Sequence, residues 1–434
     1  MYMFSQLNNY NKKINIGIIG CGKFITMFLS QVPNLKNINI DCIVDINIKN
    51  ARNNFIKSGL GKNYADKVHF FKNIDELLSR KLDVVIEATG NAVCGVIHAI
   101  KILENKKNLI MVNVEALVLC GKYLYDLAKE NSTILSLAYG DQPALIIEQI
   151  EWAKLNGFEI VSAGKGTKYH SSFEYSTPDT VWQHYGINEK EAIKAGMNAK
   201  MFNSFITGDK SSIEMATVVN SSDLICSKKG LSYHALNIYE LPEKLIPLSQ
   251  GGLLEHNKQV DVISSIDNNK KEISNNLRWG TFVVFKANNN YIKNCFKEYG
   301  LITDKTGYFS ALWRPYHFIG LELATSIYSV AIEKKATGSC KFYKSDVVAV
   351  AKKKLIKGEF LDGEGGYSVR GQLIDAEECN LQNYLPIGLS DKAVLKNNID
   401  KDDIIKLSDV NINVKHEIII ARDYQKKIIE NNLI

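Results

Sequence analysis

Residues 14–24 read INIGIIGCGKF, and residues 42–45 close a second apolar run as CIVD. An apolar run, a glycine pair, a helix-length interval and a second apolar run ending in a carboxylate are the parts of one strand–helix–strand unit. Ile14 to Ile19 reads as a buried parallel strand that delivers the chain to Gly20-Cys21-Gly22. Without side chains at Gly20 and Gly22, backbone N–H groups can approach a pyrophosphate at the positive end of the following helix, which opens on Lys23 and Phe24. Asp45 stands at the tip of the second strand, where a carboxylate accepts hydrogen bonds from a ribose diol. The third glycine of the usual fingerprint is Ile25, so this helix is expected to pack less tightly on its strand. An ordinary α/β turn with a solvent-facing aspartate is the bland alternative. The strand before the turn, the helix after it and Asp45 beyond it favour a dinucleotide.

The chain has 434 residues, enough for two or three domains, with a globular 45% apolar content and a formal charge of +6. The basic residues are scattered, and no basic stripe with interleaved aromatics occurs, which argues against nucleic-acid binding. A mildly positive surface suits an anionic small-molecule substrate. The eight cysteines are dispersed, with no C-x-x-C pair, as expected of reduced thiols in a cytoplasmic protein. Residues 1–12 are polar, and no long apolar span follows, so neither export nor membrane insertion is expected.

Downstream, apolar runs alternate with helical stretches. LDVVIEATG (82–90), NLIMVNVEA (108–116) and TILSLAYGDQPA (133–144) read as further strands, with helices over 93–104 and 120–130. This alternation predicts a doubly wound parallel sheet, whose ligands lie beyond the carboxyl ends of the strands. Thr89, Asn91, Asn113, Glu115 and Asp141 all fall at those ends. Each alone is more readily a cap or turn residue; together they suggest one functional edge. Thr89, Gly90 and Asn91 are the expected nicotinamide edge.

From about residue 160 the pattern changes. FEIVSAGKGTKYH (158–170) reads as a strand running into a glycine–lysine loop, and 201–220 ends in a helix carrying Lys210 and Glu214. A spacing of four puts that ammonium and carboxylate on one helical face, with a solvated ion pair as the alternative. Residues 278–287 read as a strand, and 308–335 as a polar turn opening a long apolar helix with Arg314 and His317 at its entrance. In the last hundred residues, 347–362 resembles 393–409, which predicts a small β-rich module.

The segments Gly20-Cys-Gly-Lys-Phe, AGKGTKY (163–169), STPDTVW (176–182), MFNSF…DKSSIEMA (201–216), WRPYHFIGLE (313–322) and LPIGLSDKAVLK (385–396) occur in this order. Together they resemble the SAF-domain homoserine-dehydrogenase-like oxidoreductases, including the 1-deoxy-D-xylulose 5-phosphate reductoisomerase-like (DRL) enzymes. The resemblance implies an α/β architecture of three parts. Residues 1–150 would form a Rossmann NAD(P) domain and 151–340 a central α+β catalytic and dimerisation domain. Residues 341–434 would form a small SAF-like module, and a helix at about 316–335 would pack back on the Rossmann domain. It implies hydride transfer to or from a small phosphorylated or polyhydroxylated carbonyl compound, such as 1-deoxy-D-xylulose 5-phosphate converted to 2-C-methyl-D-erythritol 4-phosphate. A homoserine-dehydrogenase-like simple dehydrogenase, a sugar-acid oxidoisomerase and a non-catalytic dinucleotide sensor are the alternatives. A homodimer or homotetramer is expected.

Carbonyl reduction needs an oxyanion stabiliser and a proton donor. Lys210 is the first choice, since homoserine dehydrogenases use a lysine in a comparable helix. Lys165 is the second, flanked by glycines that would let its loop reach a ligand. Glu214 would position the lysine or a substrate hydroxyl. Arg314, His317 and Lys168 are candidate anion clamps, and Asp209 and Asn203 lie close by in sequence. His317 reads equally well as a satisfied structural histidine. The relatives' NADPH preference sits against Asp45, which repels a 2′-phosphate unless Arg52 or Lys49 compensates, so the choice between NAD and NADP stays open. No metal-ligand spacing is present; a divalent ion held by Asp or Glu and sugar hydroxyls stays open.

Overall fold

A computed structural model describes residues 3–432. The chain divides into two compact units. The first gathers the residues up to Leu145 with His317–Lys341 and His416–Lys427; the second holds Ile146–Tyr316, Phe342–Lys415 and the chain from Ile428. Residues 342–415 therefore share a unit with the central segment, where a separate C-terminal module had been expected.

The first unit is built on six parallel strands: β1 (Ile14–Ile19), β2 (Ile38–Val44), β3 (His69–Phe71), β4 (Val84–Glu87), β5 (Asn108–Met111) and β6 (Leu135–Leu137), in the order β3-β2-β1-β4-β5-β6. This is the strand order of a doubly wound nucleotide-binding sheet. β1 lies at its centre, and Ile14, Ile16 and Ile18 are fully buried with Phe28 and Leu29 from helix α1 (Lys23–Gln31). Ile25 is fully buried in the same core. Leu323, Ile327 and Val330 complete it, so the apolar run after residue 316 does share the nucleotide-binding core.

Three strands, β4, β5 and β6, are shorter than the apolar runs suggested. β5 stops at Met111 because Asn113 caps helix α3 (Val114–Glu130), just as Asn91 caps helix α2 (Ala92–Glu104). The predicted helix at 316–335 is also different. Phe309–Arg314 forms strand β11, Pro315 follows it, and only Ala324–Tyr328 is α-helical before a wider turn over Ser329–Glu333.

The second unit holds a mixed sheet of β7 (Glu159–Thr167), β8 (His234–Ala235), β9 (Gln259–Ser264), β10 (Thr281–Lys286) and β11, ordered β11-β10-β7-β9-β8. The AGKGT segment is the buried end of β7, not a loop. Its glycines are there because neighbours come too close for a side chain. A Cβ on Gly164 would lie 1.8 Å from the Asp261 carbonyl oxygen, and one on Gly166 would lie 1.9 Å from that of Leu277.

The 201–220 segment is two helices, α4 (Ala199–Thr207) and α5 (Asp209–Ser221), broken at Gly208, which has φ +89°. Every residue of α5 from Ser211 to Ser221 is buried. On one side it meets β7. On the other it meets β12 (Ser345–Ala351) and β13 (Val369–Asp375), an antiparallel pair: Ser212 donates to the Gly371 carbonyl at 3.3 Å and the Asn220 amide to the Ser345 carbonyl at 3.0 Å. The two resembling C-terminal segments pair with each other: Leu355 and Ile399 exchange backbone hydrogen bonds of 2.9 and 3.0 Å. Among the described residues, no helix is long and apolar enough to cross a membrane.

Gly164→Ala and Gly166→Ala should each destabilise the protein by roughly 3 kcal/mol, because a backbone carbonyl has to move. A denaturant midpoint that falls without change of slope would show it; an unchanged midpoint would refute the close approach.

Candidate active site

A candidate cofactor site lies in the first unit. Gly20 has φ +84°, and a Cβ there would meet the Ala88 carbonyl oxygen at 2.8 Å, so the tight turn needs glycine. Gly22 differs: its φ is −82°, and a Cβ would meet nothing within 4 Å. The space over Gly22 is an open cradle. Gly22 is also the N-cap of α1 and supplies no side-chain cap, so the helix offers its first N–H groups outward. Lys23 is exposed and Phe24 half-buried in that first turn. This arrangement fits a dinucleotide pyrophosphate.

Asp45 braces the turn. Its carboxylate accepts the backbone N–H of Cys21 at 2.9 Å and that of Asn47 at 2.8 Å. Two N–H groups leave about half of its acceptor sites for a ribose diol. Burial, with the Asp45 charge adding to it, pushes the Cys21 thiol up to about 12, so that cysteine is an inert wall of the turn. Arg52 is committed elsewhere: its guanidinium pairs with Asp66, donates to the Ala65 carbonyl at 3.0 Å and lies over the Phe70 ring. Lys49 is exposed.

At the ends of β4 and β5 the polar residues divide. Asn91 accepts from Cys94 N–H at 2.9 Å and Asn113 from Ala116 N–H at 3.1 Å, so both act as helix caps. Asn113 also donates to the Asn91 carbonyl at 2.9 Å and to the Thr89 hydroxyl at 3.4 Å. Thr89 and Gly90 are exposed, Gly90 with φ +68°. Glu115 sits in the first turn of α3, and Asp141 accepts the N–H of Gln142 at 3.0 Å. The sequence reading missed Glu87. It is fully buried at the end of β4, receives the Thr89 hydroxyl and lies 3.2 Å from His98 Nδ1; among the described residues its Oε2 has no partner. A lone carboxylate inside VVIEATG was the available signal.

The candidate catalytic residues lie in the second unit, on one face of the mixed sheet. Lys165 on β7 forms an ion pair with Glu214 on α5, and their side chains are only 6% and 5% exposed. In register across β10, Lys165 pairs with Thr281, which pairs in turn with Arg314 on β11. Register partners share a face, so Lys165, Thr281 and Arg314 form one row about 10 Å long. Thr281 is fully buried, and among the described residues its hydroxyl has no partner. Arg314 lies at a strand end, not at a helix entrance, and its guanidinium stands 5.8 Å from the Tyr316 ring centre. His317 belongs to the first unit.

The remaining candidates are fasteners or lie further along α5. Lys210 is half-buried in the first turn of α5, four residues before Glu214. Asp209 is fully buried and accepts the N–H groups of Gly365 at 2.8 Å and Gly371 at 2.9 Å. Asn203 donates to the carbonyls of Ser176 and Gly365, both at 2.9 Å. Lys168 donates to the His184 carbonyl at 2.5 Å; burial and the Arg278 charge lower its pKa. Among the described residues, no group of three or more His, Cys, Asp or Glu side chains could hold a metal ion.

Gly22→Ala should leave the melting temperature unchanged yet weaken NAD(P)H binding about tenfold or more by filling the cradle. Wild-type affinity in a cofactor-fluorescence titration would rule out the cradle.

Comparison with known proteins agrees with this division. Residues 14–139 match the NAD-binding Rossmann fold of the GFO/IDH/MocA oxidoreductase family, and residues 140–323 match the catalytic domain of oxidoreductase DRL. No curated protein matches the chain. Among solved structures, the oxidoreductase YvaA of Bacillus subtilis is 13% identical, with 76% of this chain and 92% of that one covered at a TM-score of 0.40. The 1-deoxy-D-xylulose 5-phosphate reductoisomerase of Zymomonas mobilis is 15% identical, with 48% and 57% covered at 0.33. The WlbA dehydrogenase of Bordetella pertussis is 16% identical, with 37% of this chain covered at 0.27, and the chain spans about half (49%) of its length. The chain thus joins a segment that matches an NAD-binding Rossmann fold of oxidoreductases to one that matches the catalytic domain of oxidoreductase DRL.

Proposed function

We propose that this enzyme transfers hydride to or from a small phosphorylated or polyhydroxylated carbonyl compound, as a reductoisomerase of the DRL type. Conversion of 1-deoxy-D-xylulose 5-phosphate to 2-C-methyl-D-erythritol 4-phosphate is the first reaction to test. The observation that carries this reading is the buried Lys165–Glu214 pair, in a row with Thr281 and Arg314, inside the segment that matches the DRL catalytic domain. Buried charges of this kind mark functional sites more often than they add stability.

A nicotinamide cofactor, when bound, would supply the hydride. Lys165 Nζ holds the proton that the substrate oxygen takes up as its carbon is reduced, and Glu214 keeps that N–H group directed. The Thr281 hydroxyl, unspent on any protein partner among the described residues, offers a second donor to the developing oxyanion. Arg314 at the end of the row clamps the substrate's anionic group through its planar fork. Lys165, rather than Lys210, is thus the proposed proton donor. Thr89 and Gly90 are the proposed contacts of the nicotinamide edge.

Asp45 favours NADH. Its carboxylate is held at the turn by two backbone N–H groups, and the Arg52 guanidinium is tied to Asp66. A plain dehydrogenase is the second reading, favoured by the Rossmann match to the GFO/IDH/MocA family.

Candidate keto-sugar phosphates incubated with NADH or NADPH should give a product with a rearranged carbon skeleton by nuclear magnetic resonance. The kcat/KM for NADH should exceed that for NADPH by about tenfold, since burying a 2′-phosphate against a carboxylate costs on the order of 1.4 kcal/mol or more. An unrearranged alcohol would assign the plain dehydrogenase, and a preference for NADPH would overturn the role of Asp45.

Lys165→Met should lower kcat by at least about a hundredfold, and it leaves Glu214 buried and uncompensated, at a stability cost of roughly 3–5 kcal/mol. The double variant Lys165→Met/Glu214→Gln should recover much of the melting temperature but none of the turnover. If it recovers turnover, or if only Lys210→Met abolishes it, Lys165 is not the donor.

A further inference from the structure

The second unit holds a polar cavity of about 140 Å³ on the far side of α5 from the catalytic pair. Ser212 lines it, whereas Glu214, two residues on, lies about 200° further round the helix against Lys165. The other walls are β13 and the segment after Ser227.

These walls are built rather than incidental. Tyr233 has φ +50°, a left-handed conformation that is strained for a bulky residue. It is held there by a stack on Tyr169, with ring centres 3.6 Å apart and planes within 15°, and by a hydrogen bond from its hydroxyl to the Gly208 carbonyl at 3.2 Å. The Tyr169 hydroxyl donates to Glu174. Burial raises the pKa of both phenols, so they remain protonated at neutral pH.

Arg370 projects into this space from β13. Its side chain is only 16% exposed, yet among the described residues its Nε has no hydrogen-bond partner. Its Nη2 stands 3.5 Å from Glu174 and 3.7 Å from Asp402, too far for strong hydrogen bonds. A largely buried guanidinium with unspent donors is costly unless something accepts from it. Gln372, two residues along the strand, adds its amide to the lining. At the rim Lys229 is 87% exposed and lies 3.4 Å from Glu255. Arg370 and Lys229 line the cavity with one carboxylate, Glu174, while Asp402 and Glu255 stand beside them outside the lining.

We propose that this cavity is a second ligand site, separate from the catalytic pair, that binds a phosphate group through Arg370 with Lys229 at its mouth. An oxyanion matches the fork of unspent guanidinium donors. The volume is well below the roughly 300 Å³ at which sites for larger ligands begin, so the occupant is phosphate itself or the phosphate end of a small ester.

Calorimetric titration of the full chain with inorganic phosphate, and separately with glycerol 3-phosphate, at constant ionic strength tests the proposal. Saturable binding of one equivalent with a Kd of about 1 mM or tighter is expected for at least one of them. Tighter binding of the ester assigns the site to a metabolite, and equal binding assigns it to the free ion. Arg370→Gln should weaken binding about tenfold or more. Lys229→Glu, at an exposed position that leaves the core intact, should weaken it as well, and serves should Arg370→Gln fold poorly. Binding should survive in Lys165→Met/Glu214→Gln. No saturable binding of either probe, wild-type affinity in both Arg370→Gln and Lys229→Glu, or loss of binding in the lysine–glutamate double variant would overturn the proposal.

Discussion

The burial of one ammonium against one carboxylate governs the second unit. Withdrawing Lys165 and Glu214 from water costs several kcal/mol for each ion, and only close, well-shaped packing offsets it. That condition explains two features of the surroundings. β7 carries glycines on both sides of Lys165, so the neighbouring backbones close over it. α5 carries three serines, one alanine and one threonine, small enough for β12 and β13 to lie directly on its other side. The C-terminal strands therefore belong to the same unit as α5.

The junction of α4 and α5 shows how the polar residues there are spent. Asp209 and Asn203 look like ligand-binding residues in the sequence, yet both hydrogen-bond the backbone of the glycine loop around Gly365, Asn203 through its amide nitrogen while its Oδ1 has no partner among the described residues. Lys352 does the same, donating to the carbonyls of Ser176 and Gly366 at 2.8 Å. Buried polar groups that satisfy backbone in this way fix one packing of the loop against the helices. The residues left with unspent donors are elsewhere: Thr281 beside the ion pair, and Arg370 in the cavity behind α5.

The nucleotide-binding turn was legible because its causes are local. Strand, glycines, helix and Asp45 lie within about thirty residues, and each shows in its own residue type. The catalytic segment was less legible for a physical reason. Gly164 and Gly166 suggest a loop when read alone, but they answer to carbonyls of Asp261 and Leu277, about a hundred residues away. The run 308–335 reads as a polar turn opening a long helix because the apolar content of its later part is high. Phe309–Arg314 forms β11 instead, since β10 offers an unpaired edge and Pro315 ends the strand. Lys210 and Glu214 share a helical face by spacing alone, whereas the partnership of Glu214 with Lys165 joins residues 49 apart.

The sequence by itself determined the parallel nucleotide-binding sheet, the position of its glycine turn and the chemistry class, because periodicity and short motifs act over one turn or one strand. Only the tertiary structure decided which lysine meets Glu214, why β7 needs its glycines and where the C-terminal strands pack. Those outcomes depend on contacts between distant segments, where desolvation and steric closeness select among residues that look equivalent along the chain.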